Sequence, residues 1–215
     1  MYKNNKRKKQ NNCLICFNSL YEEISIKSIF SINQCICDRC LDKFISINKI
    51  QFINGVETLF LYNYNDFFKT LLYQYKGCYD VELKDVFLYK YKNFINRKYK
   101  NYVIVYPPSN ESENIKRKFM HIKEITSCLK LKSIDAFYKK IEYKQSAQTY
   151  QNRTQIKEII KVKNKLNNQK YLIVDDVYTS GNTLKTIIHL LIKNGIKKED
   201  IKAIILSKKT DFVEL

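Results

Sequence analysis

Runs of apolar residues along the chain predict strands separated by helical segments. "YVIVYPPS" at 102–109 is typical of a buried strand that ends at two prolines, since proline donates no hydrogen bond to a sheet. "KYLIVDDV" at 170–177 and "IKAIILSKK" at 201–209 predict two further strands, and residues 56–62 predict a fourth. Alternation of strands with helices indicates an α/β fold with a doubly wound parallel sheet.

Apolar residues at helical spacing lie between these strands. Helices are predicted at 66–75, 80–98, 115–129, 154–163 and 181–195, where Gly77 and Gly195 would end the first and last. The segment "KQSAQTYQNRTQ" at 144–155 has no apolar periodicity. It is therefore predicted to be an exposed loop that leads into the helix at 154–163.

The N-terminal region contains two CxxC pairs, Cys13 with Cys16 and Cys37 with Cys40. A CxxC turn lets two thiolates converge on one cation, and two such turns complete a tetrahedron. Cys35 is an alternative third ligand, but Cys37 restores the CxxC spacing and is preferred. The alternative interpretation is an incidental cluster of reduced thiols.

A zinc ion held by these four cysteines would be structural. A segment as short as 13–40 buries too little surface to fold without one. We therefore expect two domains, with a basic tail and small zinc ribbon at 1–47 and a larger α/β domain at 48–215.

Polar residues follow the apolar run of "YLIVDDVYTSGNTL" at 171–184, where a strand should give way to a helix. Ligands of open α/β sheets bind at such junctions, and a helix N-terminus attracts phosphate. Asp175 and Asp176 would repel a phosphate, but they can accept hydrogen bonds from sugar hydroxyls or organise a divalent cation. The predicted phosphate loop consists of Thr179, Ser180, Gly181, Asn182 and Thr183.

These residues resemble the phosphoribosyl pyrophosphate signature of the type I phosphoribosyltransferases. Together with the double CxxC module, the chain is similar to the ComF/ComFC family of competence proteins from Cys13 to Lys208. The resemblance implies that Asp175 and Asp176 contact ribose hydroxyls, that residues 179–183 hold the 5′-phosphate, and that Mg²⁺ accompanies the pyrophosphate.

Weaker similarities lie upstream of this signature. "YPPS" at 106–109 falls where the family has its pyrophosphate loop. Gln145 and Arg153 match a spacing near the family's flexible loop, and Arg117 lies in a divergent Arg-Gly-Phe-Asn motif whose glycine and asparagine are replaced here. These three residues are predicted to contact either the flexible loop or DNA.

The formal net charge is +18, which favours nucleic-acid contact but is equally typical of an AT-rich genome. No apolar run is long enough to span a membrane, and no export signal is recognised, so a cytoplasmic location is expected.

Three functions are compatible with these features. The resemblance implies a protein of natural transformation that handles incoming single-stranded DNA with a DNA helicase partner. The first alternative is an active phosphoribosyltransferase acting on an unidentified base or amine, and the second is a zinc-ribbon scaffold that binds only proteins. No general base is evident, and His121 and His189 are predicted to be packing or surface residues.

Overall fold

A six-stranded sheet forms the centre of the computed structural model, which describes residues 11–20, 34–108, 111–144, 155–163 and 165–209. Its strands have the spatial order β1-β2-β8-β7-β3-β4, and β5 pairs with β6 in a separate two-stranded ribbon. All neighbours in the large sheet run parallel except β1 and β2. The strands are β1 Ser46–Ile53, β2 Val56–Asn63, β3 Tyr102–Val105, β4 Ser133–Ile134, β5 Phe137–Lys144, β6 Gln155–Val162, β7 Lys170–Tyr178 and β8 Ile201–Lys208.

Helices cover both faces of this sheet. They are α1 Asp38–Leu41, α2 Asp66–Gly77, α3 Lys84–Phe87, α4 Lys92–Lys98, α5 Glu111–Arg117, α6 His121–Thr126 and α7 Asn182–Lys193, with short 3₁₀ turns at Val81–Leu83 and Lys198–Asp200. Among the described residues, none of these helices is long and apolar enough to cross a membrane.

Two hydrophobic layers hold the helices to the sheet. On one face, Leu71 of α2 and Ile125 of α6 pack in the same cluster as Leu172 of β7. On the other face, Ile187 of α7 packs with Ile173 of β7. Strands buried on both faces read as continuous apolar runs, and this explains why "YLIV" in β7 shows no alternation. The predicted doubly wound α/β class is confirmed.

The helix predicted at 154–163 is wrong. Residues 155–162 form β6, which pairs with β5 along its whole length, from Phe137 opposite Val162 to Lys144 opposite Gln155. The isoleucines at 156, 159 and 160 have helical spacing, but β-branched residues favour strands and a complete partner strand is available. The predicted exposed loop at 144–155 therefore connects two strands, and its central residues lie outside the described part of the chain.

The sequence prediction missed a hairpin at the edge of the sheet. Asn54 and Gly55 join β1 to β2, with φ angles of 50° and 78°. Two consecutive positive φ angles define the turn that Asn-Gly favours between antiparallel strands. The predicted helices at 80–98 and 115–129 each form as two shorter helices. The second is interrupted at Lys118, which has a φ of 61°.

The four-cysteine segment shares the core of the sheet domain. Cys13 and Cys40 are buried in the same cluster as Phe44 and Tyr62. The Phe44 ring lies 5.0 Å from that of Tyr62 in β2 and 5.2 Å from that of Phe67 in α2. The division into domains at 1–47 and 48–215 remains a prediction, and these contacts join the two parts within the described residues.

Candidate functional site

The acidic pair lies where the chain reverses its direction of travel across the sheet. After β3 the chain passes outward to β4, whereas after β7 it passes to β8 on the opposite side. The carboxyl ends of β3 and β7 are adjacent, but the chain segments that follow them lead to opposite sides of the sheet. A crevice therefore opens between these two strand ends, where ligands of open α/β sheets bind. Asp175 and Asp176 lie near the end of β7, and the buried Tyr106 directly follows β3.

Two basic side chains from the helical layer contact Asp176. Lys76, in the last turn of α2, places its Nζ 2.6 Å from Oδ2 of Asp176. His121, the first residue of α6, places its Nε2 3.2 Å from the same oxygen. Although burial opposes ionisation of Asp176, the hydrogen bond from His121 and the charge of Lys76 lower its pKa well below the ordinary value. Asp176 is therefore a buried, ionised carboxylate at neutral pH.

Arg117 determines which nitrogen of His121 carries the proton. Its Nη1 lies 3.2 Å from Nδ1 of His121, and a guanidinium offers only donors, so Nδ1 must accept. The proton then resides on Nε2, which donates to Asp176. Burial, together with the charges of Lys76 and Arg117, lowers the pKa of His121 despite the neighbouring carboxylate. We therefore assign His121 as a neutral imidazole.

Asp175 has the opposite electrostatic environment from its neighbour. Its Oδ1 accepts a hydrogen bond of 2.9 Å from the backbone N–H of Asp176. Burial and then repulsion by the Asp176 carboxylate raise the pKa of Asp175 to about 8. Adjacent residues thus carry one ionised and one largely protonated carboxyl group at neutral pH. Paired carboxyl groups with separated pKa values are frequent at functional sites.

Gly181 shapes the loop that follows β7. It caps the N-terminus of α7 with a φ of 72°, a conformation that favours glycine. A Cβ at this position would lie 2.5 Å from the Tyr178 hydroxyl, so the close approach of Tyr178 also requires glycine. Gly181 offers no side-chain cap to the twelve-residue helix α7, so the N-terminal amides that follow Asn182 are oriented to receive an anion.

The other predicted loop residues are exposed. They are Thr179, Ser180, Asn182 and Thr183. The Oγ of Ser180 accepts a 3.4 Å hydrogen bond from the Asn182 N–H, which orders the start of α7. Their predicted role in phosphate binding is untested.

Of the three residues predicted to contact the flexible loop or DNA, the structure describes only Arg117. Arg117 has only 8% of its side chain exposed and lies against Glu113 and His121, so it belongs to the surroundings of the acidic pair. Gln145 and Arg153 lie outside the described residues.

Sequence reasoning missed Lys76 and assigned His121 only a packing or surface role. Lys76 is one hundred residues from Asp176, and no spacing rule connects a lysine at a helix end with a distant strand. His121 follows the divergent motif that contains Arg117, and proximity to that motif was the one available signal. His189 is exposed on α7, as expected for a surface residue.

The two CxxC pairs converge in a separate cluster. The Sγ atoms of Cys13, Cys16, Cys37 and Cys40 all lie within 4.8 Å of one another. Those of Cys16 and Cys37 are 3.7 Å apart, close to the edge of about 3.8 Å that a tetrahedron with Zn–S bonds of about 2.3 Å requires. Burial opposes ionisation of Cys13, but N–H groups of Cys16, Cys37 and Ile15 lower its pKa to about 7. Burial raises the pKa values of Cys37 and Cys40, so it is the converging geometry of the four thiols that suits zinc.

Cys35 points away from this cluster. Its Sγ lies 3.9 Å from the backbone oxygen of Asp85, between the cluster and α3. Burial, and then the Asp85 carboxylate, raise the pKa of Cys35 to about 12. Because the contact with Asp85 directs the Cys35 thiol at α3 while the Cys37 thiol lies in the cluster, the geometry favours Cys37 as the third cysteine.

Comparison with known families identifies a phosphoribosyl transferase domain in residues 123–211. The matched range includes β7, the acidic pair, the loop at 179–183 and α7. No curated protein matches the sequence. The match covers less than half of the chain, and it agrees with the mostly parallel sheet in indicating a fold of the type I phosphoribosyltransferase kind.

Solved phosphoribosyltransferase structures show a weaker likeness. A purine phosphoribosyltransferase from Pyrococcus horikoshii is 22% identical, with 61% of this chain and 77% of that chain covered and a TM-score of 0.36. A hypoxanthine phosphoribosyltransferase from Staphylococcus aureus is 15% identical, with coverage of 61% and 69% and a TM-score of 0.34. The APRTase from Giardia lamblia complexed with 9-deazaadenine is 14% identical, with coverage of 75% and 94% and a TM-score of 0.36.

Proposed function

We propose that this protein binds phosphoribosyl pyrophosphate with Mg²⁺ at residues 175–183. One observation carries the proposal: an ionised, buried Asp176 precedes a glycine-capped helix N-terminus at the switch point of the sheet. The carboxylate suits ribose hydroxyls, and the open amides of α7 suit the 5′-phosphate. A phosphorylated ribose needs both kinds of partner within one ligand.

Magnesium would be held mainly by pyrophosphate oxygens and water, because Mg²⁺ rarely has an all-protein cage. Asp176 supplies an ionised carboxylate on the protein side, and Asp175 would have to lose its proton to supply a second one. When bound, the ion would neutralise charge on the pyrophosphate leaving group. Asp176, His121 and Lys76 hold one another in place before any ligand arrives, and this preorganisation favours binding of a defined ribose geometry.

A thermal-shift titration tests this proposal. A ligand that binds only the folded state at a hundredfold excess over its Kd stabilises that state by about 2.7 kcal/mol. Phosphoribosyl pyrophosphate with Mg²⁺ should raise the Tm of the wild type, and the double variant Asp175→Asn with Asp176→Asn should lose the shift. Glu199→Gln is a matched control, because Glu199 is exposed in the 3₁₀ turn before β8. No shift in the wild type at millimolar ligand would overturn the proposal.

A catalytic role is the natural extension of this binding site. Phosphoribosyltransferase activity would release pyrophosphate when an acceptor attacks the ribose carbon, and the enzyme would act mainly by positioning and electrostatics. A coupled pyrophosphate assay across bases and amines tests turnover.

We further propose a role in handling single-stranded DNA during natural transformation, in the cytoplasm and with a helicase partner, as expected of a ComF-like protein. The β5–β6 ribbon supports contact with nucleic acid. Tyr138, which is 38% exposed, lies opposite Lys161 and on the same face as Lys140. Lysines beside an exposed aromatic ring suit phosphates and stacked bases.

Fluorescence anisotropy with single-stranded DNA tests this role. Affinity should fall steeply with salt, and Tyr138→Ala with Lys161→Gln should weaken binding more than Lys193→Gln on α7 does. Removal of residues 1–10 should reduce the salt dependence, because that tail holds the densest lysine cluster of the sequence. Absence of binding at low salt would leave the net charge of +18 without a role in nucleic-acid contact.

A further inference from the structure

A cleft of ≈ 360 Å³ opens beside the acidic pair, between α2 and α5. We call it the α2 cleft. Its lining includes three basic residues, one acidic residue and two aromatic rings, namely Lys69, Lys76, Arg117, Glu113, Tyr64 and Tyr73. Lys76 connects the cleft to Asp176, because the same ammonium group that lines the cleft lies 2.6 Å from that carboxylate.

Positive charge predominates in the α2 cleft. Lys76 is paired with Asp176, and Nη2 of Arg117 lies 3.3 Å from Glu113. Lys69 is exposed and forms no ion pair within the described ranges. One cation is thus left without a carboxylate, so an anionic ligand would find a complementary charge.

Arg117 adds a buried donor that lacks an acceptor. Its side chain is only 8% exposed. The two terminal nitrogens contact Glu113 and His121, but the buried Nε has no hydrogen-bond partner among the described residues. Buried N–H groups are normally satisfied, and an exception at a cleft indicates that a bound molecule or water supplies the acceptor.

A tyrosine ring provides a flat surface at the same place. Tyr73 is 67% exposed, although its ring lies against the backbone of Gly77 in the next turn of α2. A Cβ on Gly77 would approach the Tyr73 ring to 2.9 Å, so the absence of a side chain there lets the ring lie close to the helix backbone. An exposed ring held in this way is suited to stacking on a planar ligand.

We propose that the α2 cleft binds a planar heterocycle with an anionic substituent, as the acceptor of the phosphoribosyl group. The proposal rests on the proposed function for its acceptor role and deepens it by naming the chemical class. A ring nitrogen would form the bond to ribose C1′ with its lone pair while the C1′–O bond breaks. The electron pair of that bond would leave with pyrophosphate, and a proton on the attacking nitrogen would pass to water.

Carboxylated heterocycles are acceptors of this kind, and nucleoside monophosphates correspond to the product, because their ring nitrogen is already bonded to ribose C1′. Isothermal titration of the full chain should therefore use pyridine-2,3-dicarboxylate and uridine 5′-monophosphate, with the uncharged nicotinamide as control. An anionic probe should bind, and nicotinamide should bind at least about tenfold more weakly, as the loss of a charge-assisted hydrogen bond implies. The tighter of the two anionic probes shows whether the cleft recognises a carboxylate or a phosphate.

Substitutions at the rim locate the binding. Lys69→Gln and Tyr73→Ala should each weaken the anionic probe by about tenfold, whereas Lys193→Gln on α7 should not. Both rim residues are exposed, so their variants are expected to fold. Equal affinity in all variants, or equal binding of nicotinamide, would overturn the proposal.

The titration also distinguishes this proposal from the proposed function. If phosphoribosyl pyrophosphate stabilises the protein but neither anionic probe binds, the α2 cleft proposal alone is wrong. If a probe binds with the expected dependence on Lys69 and phosphoribosyl pyrophosphate does not bind, anion binding by the cleft stands and its acceptor role is overturned with the proposed function.

Discussion

Lys76 and Asp176 are one hundred residues apart in the chain and form a 2.6 Å ion pair at the end of β7. The pair ties the last turn of α2 to the strand that carries the predicted ribose site. Tyr75 strengthens the same connection, since its hydroxyl donates a 2.7 Å hydrogen bond to the backbone oxygen of His121. The helical layer therefore determines the position and charge of the acidic pair.

Removal of Lys76 should destabilise the fold. In Lys76→Gln, a carboxylate with only 10% of its side chain exposed loses its charged partner and keeps only the hydrogen bond from His121. We expect a loss of about 1–3 kcal/mol in the free energy of unfolding at pH 7, measured by denaturant titration. Lys84→Gln, which breaks a more exposed pair with Glu124, should cost less than about 1 kcal/mol. Equal losses would contradict this.

Asp175 should make stability fall as pH rises. Its pKa is raised to about 8 in the folded state, so between the ordinary value of 3.8 and about 8 the folded protein binds more protons than the unfolded chain. In this window the free energy of unfolding decreases with pH. Asp175→Asn removes this dependence and should stabilise the protein at pH 8, on the order of 2 kcal/mol, and by less at pH 5.

Thermal melts at pH 5, 6, 7 and 8 measure that difference. Glu199→Gln is the control, because Glu199 is exposed and is distant in the sequence from Asp175 and Asp176. A constant difference between Asp175→Asn and the wild type across this range would show that Asp175 is already ionised at pH 5.

His121 should resist protonation. A protonated ring would place a second N–H against Arg117, and burial already lowers the pKa of His121 below 6.5. Nitrogen-15 NMR of labelled histidine should show a neutral ring with the proton on Nε2 at pH 6.5. His189, exposed on α7, serves as the internal reference. Because folding must exclude a proton from His121, its contribution to stability is complete above pH 6.5 and becomes unfavourable as pH falls below that value.

Local sequence was sufficient to predict the elements at the centre of the sheet. β7, α7 and β8 form as the apolar runs and Gly195 indicated, because strands buried on both faces need continuous apolar residues. Local sequence was not sufficient to predict the β5–β6 ribbon. β6 has isoleucines at helical spacing, and only the partner strand β5 decides between strand and helix.

Some residues of the candidate site could likewise be predicted from local sequence and others could not. Asp175, Asp176 and Gly181 are contiguous in sequence, so one motif was enough to identify them as a group. Lys76 and Arg117 come from helices that meet β7 only after folding, and their charges decide the ionisation of the acidic pair. Local sequence carries no information about such contacts.

Gly181 should tolerate substitution less well than Gly195. Both have positive φ angles, of 72° and 88°, so alanine introduces backbone strain of about 1–2 kcal/mol at either position. A Cβ at Gly195 meets no atom within 4 Å, whereas one at Gly181 would clash with Tyr178. Gly181→Ala should therefore cost more in denaturant titration than Gly195→Ala. Equal costs would show that Tyr178 moves aside freely.

Zinc content should depend on Cys37 and not on Cys35. The four clustered thiols include Cys37, whereas the Cys35 thiol is directed at the backbone oxygen of Asp85. Elemental analysis should find zinc in the wild type and in Cys35→Ser, and a strong reduction in Cys37→Ser. Because Cys13 and Cys40 belong to the core that contains Phe44 and Tyr62, loss of the metal should lower the Tm of the sheet domain as well.

A decrease in Tm on the order of 5–10 °C is expected for Cys37→Ser, corresponding to a few kcal/mol in a chain of this size. Chelator treatment of the wild type should reproduce that decrease, whereas Cys37→Ser should be insensitive to chelator because it has no bound metal to lose. Cys78→Ser controls for removal of an exposed thiol. If Cys35→Ser loses zinc and Cys37→Ser retains it, the third ligand is Cys35 and the geometry of the cluster must rearrange on metal binding.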